Sequence, residues 1–273
     1  MKERVTLTVD QNILNKIDEK VDGTIIKNRS HAVELLLLKA LSSNRPRKAI
    51  ILAGGEHSKN TELKVLSKIK NKSLLEWNIQ LLQKHGVKEI LLCIGDKDSE
   101  IKKYFGNGEG LGIKISYSEE EFPLGTAGSI KSAKEFFKET IILCNADELK
   151  DIDLDDMYEF HKDANKTCTI ALTTVEDPSK YGAALMNGNR IITFIEKPSK
   201  DKAPSNLVNA GLYIIEPEVL KYIPDGFSMI ENDVFPILAK QDKLFGYIFS
   251  GQWFSTKTNE DFQKAAKEWK GLM

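Results

Sequence analysis

The chain has 273 residues, 41% hydrophobic and 29% charged, a make-up that fits a globular protein and excludes a disordered or fibrous one. Its net charge of −1 excludes a global bias toward nucleic acid. The charge is uneven, however: residues 1–47 hold nine Lys/Arg against six Asp/Glu, a net of +3, and the remainder thirty against thirty-four, a net of −4.

The first segment alternates with the period of a strand, Val5, Leu7 and Val9 on one side and Arg4, Thr6 and Thr8 on the other. Asp10 is placed to cap a helix in which Ile13, Leu14, Ile17 and Val21 form one stripe, and Gly23 ends it. Ser30 is expected to cap a second helix, whose apolar residues (Ala32, Val33, Leu35 to Leu38, Ala40, Leu41) spread well beyond one face. A strand and two short helices bury too little surface to close a core alone, so this unit implies a partner chain. The polar, proline-containing stretch Ser42 to Lys48 reads as a linker. Two domains follow, 1–44 and 48–273.

From Lys48 on, strand patterns alternate with helical ones. KAIILAGG, EILLCIGD, KISYSEE and ETIILCNAD are strand-like, while SLLEWNIQLLQKHG, DSEIKKYFG and TAGSIKSAKEFFK have helical spacing. This predicts an α/β domain with a mostly parallel sheet and ligands at the carboxyl ends of its strands. A hairpin is expected at Asn187-Gly188-Asn189, and a closing helix at NEDFQKAAKEWK. Cys93, Cys144 and Cys168 lie in apolar runs without metal-ligand spacing and read as reduced core thiols. With no apolar run of membrane-spanning length and no signal-peptide pattern, the expectation is a cytoplasmic protein without a membrane partner.

Several short stretches have physical uses at a charged ligand. Ala53-Gly54-Gly55 after a strand lets backbone approach phosphate. Gly125, Thr126, Ala127 and Gly128 put a small-residue turn ahead of a helix. Asp147 ends an apolar strand, where a carboxylate would face a cleft, and Lys197 follows another, where an ammonium could meet a sugar phosphate. Taken singly, Asp147 reads first as a strand-end cap and Lys197 as an ordinary hairpin charge.

The first segment resembles the ribbon-helix-helix DNA-binding family in its alternating strand, first helix, glycine turn and the NRS start of helix two. The resemblance implies a homodimer paired through the arm, with tetramers open to it. It also implies double-stranded DNA as partner, Arg4, Thr6 and Thr8 facing base edges, and Asn28, Arg29 and Ser30 gripping a phosphate. The plain alternative is a dimerisation clip that never meets DNA.

The body resembles the sugar-phosphate nucleotidyltransferases, Rossmann-like enzymes that join a nucleoside triphosphate to a sugar 1-phosphate. Seven segments stand in the family's order between Lys48 and Lys270: LAGG, LKVLSKIKNKSLLEW, PLGTAGSI, NAD, YGAALMNGNRIITFIEKP, NAGLYIIEPEVL and GQWFSTKTNEDF. Carried over, the resemblance implies a nucleotide or sugar site from Gly54, Gly55, Lys64, Gly125, Thr126, Gly128, Asp147, Gly182, Glu196, Lys197 and Asn209, with Asp147 a metal ligand. The chain also departs from that pattern. His57 and Lys59 stand in the places of a loop glycine and arginine, and Glu56 sits beside them. Four or five residues are missing before Lys64, Leu63 and Val65 replace two prolines, and Ser255 replaces the second metal aspartate. Phosphoryl transfer depends almost wholly on charge placement, so these losses point away from chemistry. The expectation is therefore a DNA-binding transcriptional regulator, a pseudoenzyme whose domain senses a nucleotide, sugar phosphate or nucleotide sugar, or serves oligomerisation. The alternative is an active nucleotidyltransferase, and Mg2+ belongs only to that alternative.

Overall fold

The computed structural model describes residues 5–41, 45–54, 64–95, 99–163 and 166–273. The chain divides into two compact units, Met1–Arg45 and Pro46–Met273.

The first unit holds two helices, α1 (Gln11–Asp18) and α2 (Arg29–Leu41). Asp10 caps α1 by accepting from the Asn12 amide at 2.8 Å. At α2 the cap is Asn28 and not Ser30: Asn28 Oδ1 accepts from the His31 amide at 2.9 Å, and Ser30 already lies inside the helix. The expected strand is absent among the described residues. Residues 5–10 form no ladder, and Val5 and Leu7 are 72% and 62% exposed. Alternation sorts side chains but supplies no hydrogen-bond partner, and none of the described residues pairs with the segment. The described residues of this unit show two short helices and no ribbon-helix-helix module. Arg4 lies outside the described residues, and Thr6 and Thr8 sit in irregular backbone. Arg29, expected at a phosphate, instead makes a two-pronged pair with Asp18, Nε to Oδ1 at 2.7 Å and Nη2 to Oδ2 at 2.5 Å.

In the second unit the chain runs β1 (Lys48–Leu52), β2 (Lys68–Ile69), β3 (Lys72–Ser73), α3 (Leu74–Lys84) and β4 (Glu89–Gly95). Next come α4 (Ser99–Phe105), β5 (Lys114–Glu120), α5 (Gly125–Ser132), β6 (Ile141–Asn145), β7 (Glu148–Lys150) and α6 (Leu154–Lys162). The second half holds β8 (Cys168–Thr174), β9 (Gly182–Asn187), β10 (Arg190–Glu196), β11 (Leu207–Ile215), α7 (Phe235–Lys240), β12 (Leu244–Ile248), β13 (Trp253–Ser255) and α8 (Asn259–Glu268). Nine strands form one sheet in the order β5-β4-β1-β6-β11-β8-β12-β10-β9.

The sheet is parallel from β5 to β6, but β11 runs antiparallel to β6 and to β8, so the expected parallel character holds for the first half. Both faces are covered. In β1, Ala49 and Ile51 enter one core with Leu75, Ile79 and Met157, while Ile50 enters the other with Ala127, Ile130 and Phe235. That explains the unbroken apolar run KAIIL, because a strand buried on both faces has no polar side. The three cysteines are buried and free, and burial pushes the Cys93 thiol up to about 12. Among the described residues no helix is long and apolar enough to cross a membrane.

Candidate active site

The site lies where β1 and β6 end side by side. The Ala53 amide donates to Cys93 O at 2.9 Å and the Ala146 amide to Leu52 O at 3.1 Å, which brings the turn after β6 beside Gly54. Gly55 and the loop residues through Leu63, with His57 and Lys59, lie outside the described residues. The next segment, β7, pairs antiparallel with β13 in a small ribbon that puts Ser255 opposite Glu148. Thr256 closes its cleft end, donating through both its amide and its hydroxyl to Asp147 O at 3.0 and 2.7 Å.

Lys257 is the electrostatic centre. Its ammonium is 3.1 Å from Glu148 Oε1, and the other oxygen of that carboxylate accepts from Trp253 Nε1 at 3.2 Å. Glu148 raises the Lys257 pKa, with Asp147 and Glu196 acting in the same direction. Burial raises Asp147, Glu196 and Glu231 above the usual carboxylate range, and Lys257 opposes the rise in all three. Lys64 Nζ donates to the Lys257 carbonyl, tying the lysine after the loop to the same point. Four carboxylates thus share few positive charges, an arrangement that favours a further cation or a ligand bringing one.

Two glycines make the packing work. Gly211 has φ +61, and a Cβ there would lie 2.4 Å from Glu148 Oε2. A Cβ on Gly182 would lie 2.3 Å from the Phe194 ring and 2.7 Å from Glu196 Oε2. Beneath the site, Lys150 is buried and donates to Gly211 O at 3.1 Å and Asn145 O at 3.3 Å.

The residues expected on the nucleoside and sugar sides are engaged within the protein. At the start of α5 the Ala127 and Gly128 amides both donate to Ser228 O, at 3.0 and 3.3 Å, and a Cβ on Gly125 would lie 2.4 Å from that carbonyl. Thr126 donates to Glu231 at 2.7 Å and accepts from the Ile230 amide at 2.9 Å. Asn209 is satisfied at both ends, donating to Tyr213 Oη and accepting from the Gly211 amide, each at 2.9 Å. Lys197 is exposed in the left-handed region at φ 45, its amide on Tyr181 O at 3.0 Å. Asp147, Glu196 and Lys64 are therefore drawn together around Lys257. Glu148 and Glu231 were not anticipated. Glu148 has a signal in hindsight, the charged pair after an apolar strand in NADELK, whereas Glu231 arrives from 83 positions further on in the chain and has none.

The chain belongs to the nucleotidyl transferase family, whose model matches residues 48–270. It is 35% identical over 226 residues to a mannose-1-phosphate guanylyltransferase catalytic subunit beta of Danio rerio, covering 79% of this chain and 62% of that protein. A mannose-1-phosphate guanyltransferase beta-B of Xenopus laevis is 36% identical over the same coverage. The chain thus spans about 62% of the length of the curated relatives it matches. In fold it is similar to HddC of Yersinia pseudotuberculosis complexed with GMP-PN, with TM-score 0.69, 22% identity, and coverage of 82% of this chain and 100% of that one.

These comparisons overturn the expectation of a DNA-binding regulator whose domain has lost its chemistry. The relatives are named as guanylyltransferases. Ser255 lies opposite Glu148 across the ribbon, and the Glu148 carboxylate is engaged by Lys257 and Trp253.

Proposed function

We propose that this protein is an active nucleotidyltransferase that joins a nucleoside triphosphate to a sugar 1-phosphate, with GTP and mannose 1-phosphate as the pair suggested by its relatives. The observation that carries this is the gathering of Asp147, Glu148, Glu196 and Glu231 with Lys257 at the carboxyl ends of β1 and β6, inside a domain matched to the family over 48–270. The attacking oxygen of the sugar phosphate forms a bond to the α-phosphorus. The α–β bridge breaks, and its electron pair leaves with pyrophosphate.

Gly54 and Gly55 are assigned to the triphosphate side together with Lys64. Gly125, Thr126 and Gly128 are assigned to the nucleoside side, and Gly182, Glu196, Lys197 and Asn209 to the sugar phosphate. Lys257 adds a positive charge next to the reacting groups, where a low-dielectric site makes it most effective. Mg2+ is commonly held by one or two carboxylates plus substrate phosphates, and Asp147, charged at a cost in its half-buried place, fits that donor set. When bound, Mg2+ supplies charge neutralisation of the phosphates.

The test is pyrophosphate release from GTP and mannose 1-phosphate with Mg2+, alongside other nucleotide and sugar 1-phosphate pairs. Release that depends on both substrates and is lost in Asp147→Asn supports the reading. Absence of release with every pair sinks it.

A further inference from the structure

At the opposite end of the β7–β13 ribbon from Glu148 and Ser255, where the Asp151 amide donates to Gln252 O at 2.9 Å, lies a second constellation. His85 ends α3 and is 8% exposed, yet neither of its ring nitrogens has a hydrogen-bond partner among the described residues. Buried polar atoms are nearly always paired, so an imbalance of this kind calls for an occupant. Facing the ring is the first turn of α6. Asp153 Oδ1 caps that helix by accepting from the Asp155 and Asp156 amides at 2.9 and 3.1 Å. His85 Nδ1 is 3.5 Å from Asp155 Oδ2 and 4.0 Å from Asp153 Oδ1, and one ligand atom from each of the three lies within 4.8 Å of the others. All three line a cavity of about 480 Å³, whose wall also includes Asp151, Tyr247 and Lys84, the last with its ammonium turned to the Met273 carbonyl.

These separations have a chemical meaning. Tetrahedral Zn2+ with N and O ligands at about 2.0–2.1 Å places neighbouring ligand atoms roughly 3.4 Å apart. Against that value, His85 Nδ1 must approach Asp155 Oδ2 by about 0.1 Å and Asp153 Oδ1 by about 0.6 Å, a shift that side-chain rotation can supply. One imidazole and two carboxylates also select against Mg2+ and Ca2+, which prefer all-oxygen shells. Two negative charges match a divalent ion, and the cavity leaves its remaining position open to solvent.

We propose that His85, Asp153 and Asp155 form a binding site for a late first-row divalent cation of the Zn2+ class, apart from the nucleotide cleft, that clamps the end of α3 to the start of α6. The competing occupant is a proton, which would make His85 an imidazolium between two carboxylates.

The full chain, stripped with chelator and dialysed, is titrated with Zn2+ by calorimetry and with Co2+ by visible absorbance. One ion per chain, a tetrahedral Co2+ spectrum and a raised unfolding temperature are expected. His85→Gln and Asp155→Asn should each weaken binding by more than the roughly 10- to 100-fold that loss of a supporting group costs. Asp147→Asn in the cleft should leave it unchanged. Asp155 is on the helix surface, so its variant carries the test if His85→Gln does not fold. The proposal is overturned if the full chain takes up no ion at micromolar concentration, the outcome expected of a proton. It is also overturned if Asp155→Asn binds like wild type, or if binding is lost in Asp147→Asn instead.

Discussion

Val5, Leu7, Ile13, Ile25, Leu35 and Leu37 are all more than a third exposed in the first unit, where Ile17 and Ala32 are the buried apolar residues among those described. In the second unit, whole strands such as Ile141 to Cys144 and Leu212 to Ile215 are almost inaccessible. The two regions use similar apolar residues and reach different ends. A nine-stranded sheet gives each strand two faces to cover and helices to cover them, while a pair of short helices has one seam. The first unit is held by local chemistry instead: the Asp10 and Asn28 caps, the Asp22 carboxylate accepting from the Thr24, Ile25 and Ile26 amides, and the Arg29–Asp18 pair. Apolar content alone is therefore a poor guide to a core.

If chemistry and stability both reside in the second unit, the largest effect should come from the cleft. Asp147→Asn is expected to cut pyrophosphate release by about 10³-fold, near 4 kcal/mol of transition-state stabilisation. A loss of less than tenfold in steady-state assays would move the reacting charge elsewhere. Next comes Trp269→Ala. Trp269 is 1% exposed and meets Trp77 edge-on at 5.7 Å and Phe254 at 6.2 Å. Truncation should destabilise the second unit by about 3–5 kcal/mol in urea unfolding. An unchanged midpoint would mean that α8 is not part of its cooperative core.

Smaller in size is a pH effect at Glu231. Burial raises its pKa in the folded protein, so as pH rises through the ordinary glutamate range the unfolded chain loses its proton first. The folded state then holds more protons, and stability falls with rising pH until the folded group also ionises. Glu231→Gln, which keeps an acceptor for Thr126, should flatten that fall in thermal melts taken from pH 4 to 8. An unaltered slope would assign the dependence to another group. Smallest is Ile17→Ala, which should leave the main unfolding transition where it is. A shift comparable to that of Trp269→Ala would erase the distinction between the units.

Much of the second unit was legible because its signals are repeated and local. Capped helices such as α3, where Ser73 and Glu76 form a reciprocal cap, and the hairpin at Gly188 are written in neighbouring residues. Asp147 was expected at the end of the apolar run that forms β6, and it lies in the turn two residues beyond that strand. What could not be read depends on distant partners. The glycines at 125 and 128 look shaped for a ligand, yet what crowds them is the Gly226–Ser228 backbone. Lys257 has no signal of its own in the sequence, and the ribbon sets its ammonium 3.1 Å from Glu148. His85 closes a helix with nothing in its surroundings to announce Asp153 and Asp155. The N-terminal alternation misled for the converse reason: period two records which side chains match, and a strand also needs a neighbour.

The antiparallel position of β11 between β6 and β8 bears on how the protein emerges from the ribosome. Strands β1, β4, β5 and β6 can assemble in order of synthesis, since β1, β4 and β5 find all their neighbours, and β6 finds β1, among residues 48–145. β8 cannot. Its two neighbours, β11 and β12, are both translated later, so the buried run Cys168–Leu172 keeps both edges unpaired until Ile215 has been made and one edge unpaired until Ile248. That interval is when a nascent chain of this protein most needs a chaperone, and slowing translation between codons 175 and 248 should lengthen it and lower the soluble yield.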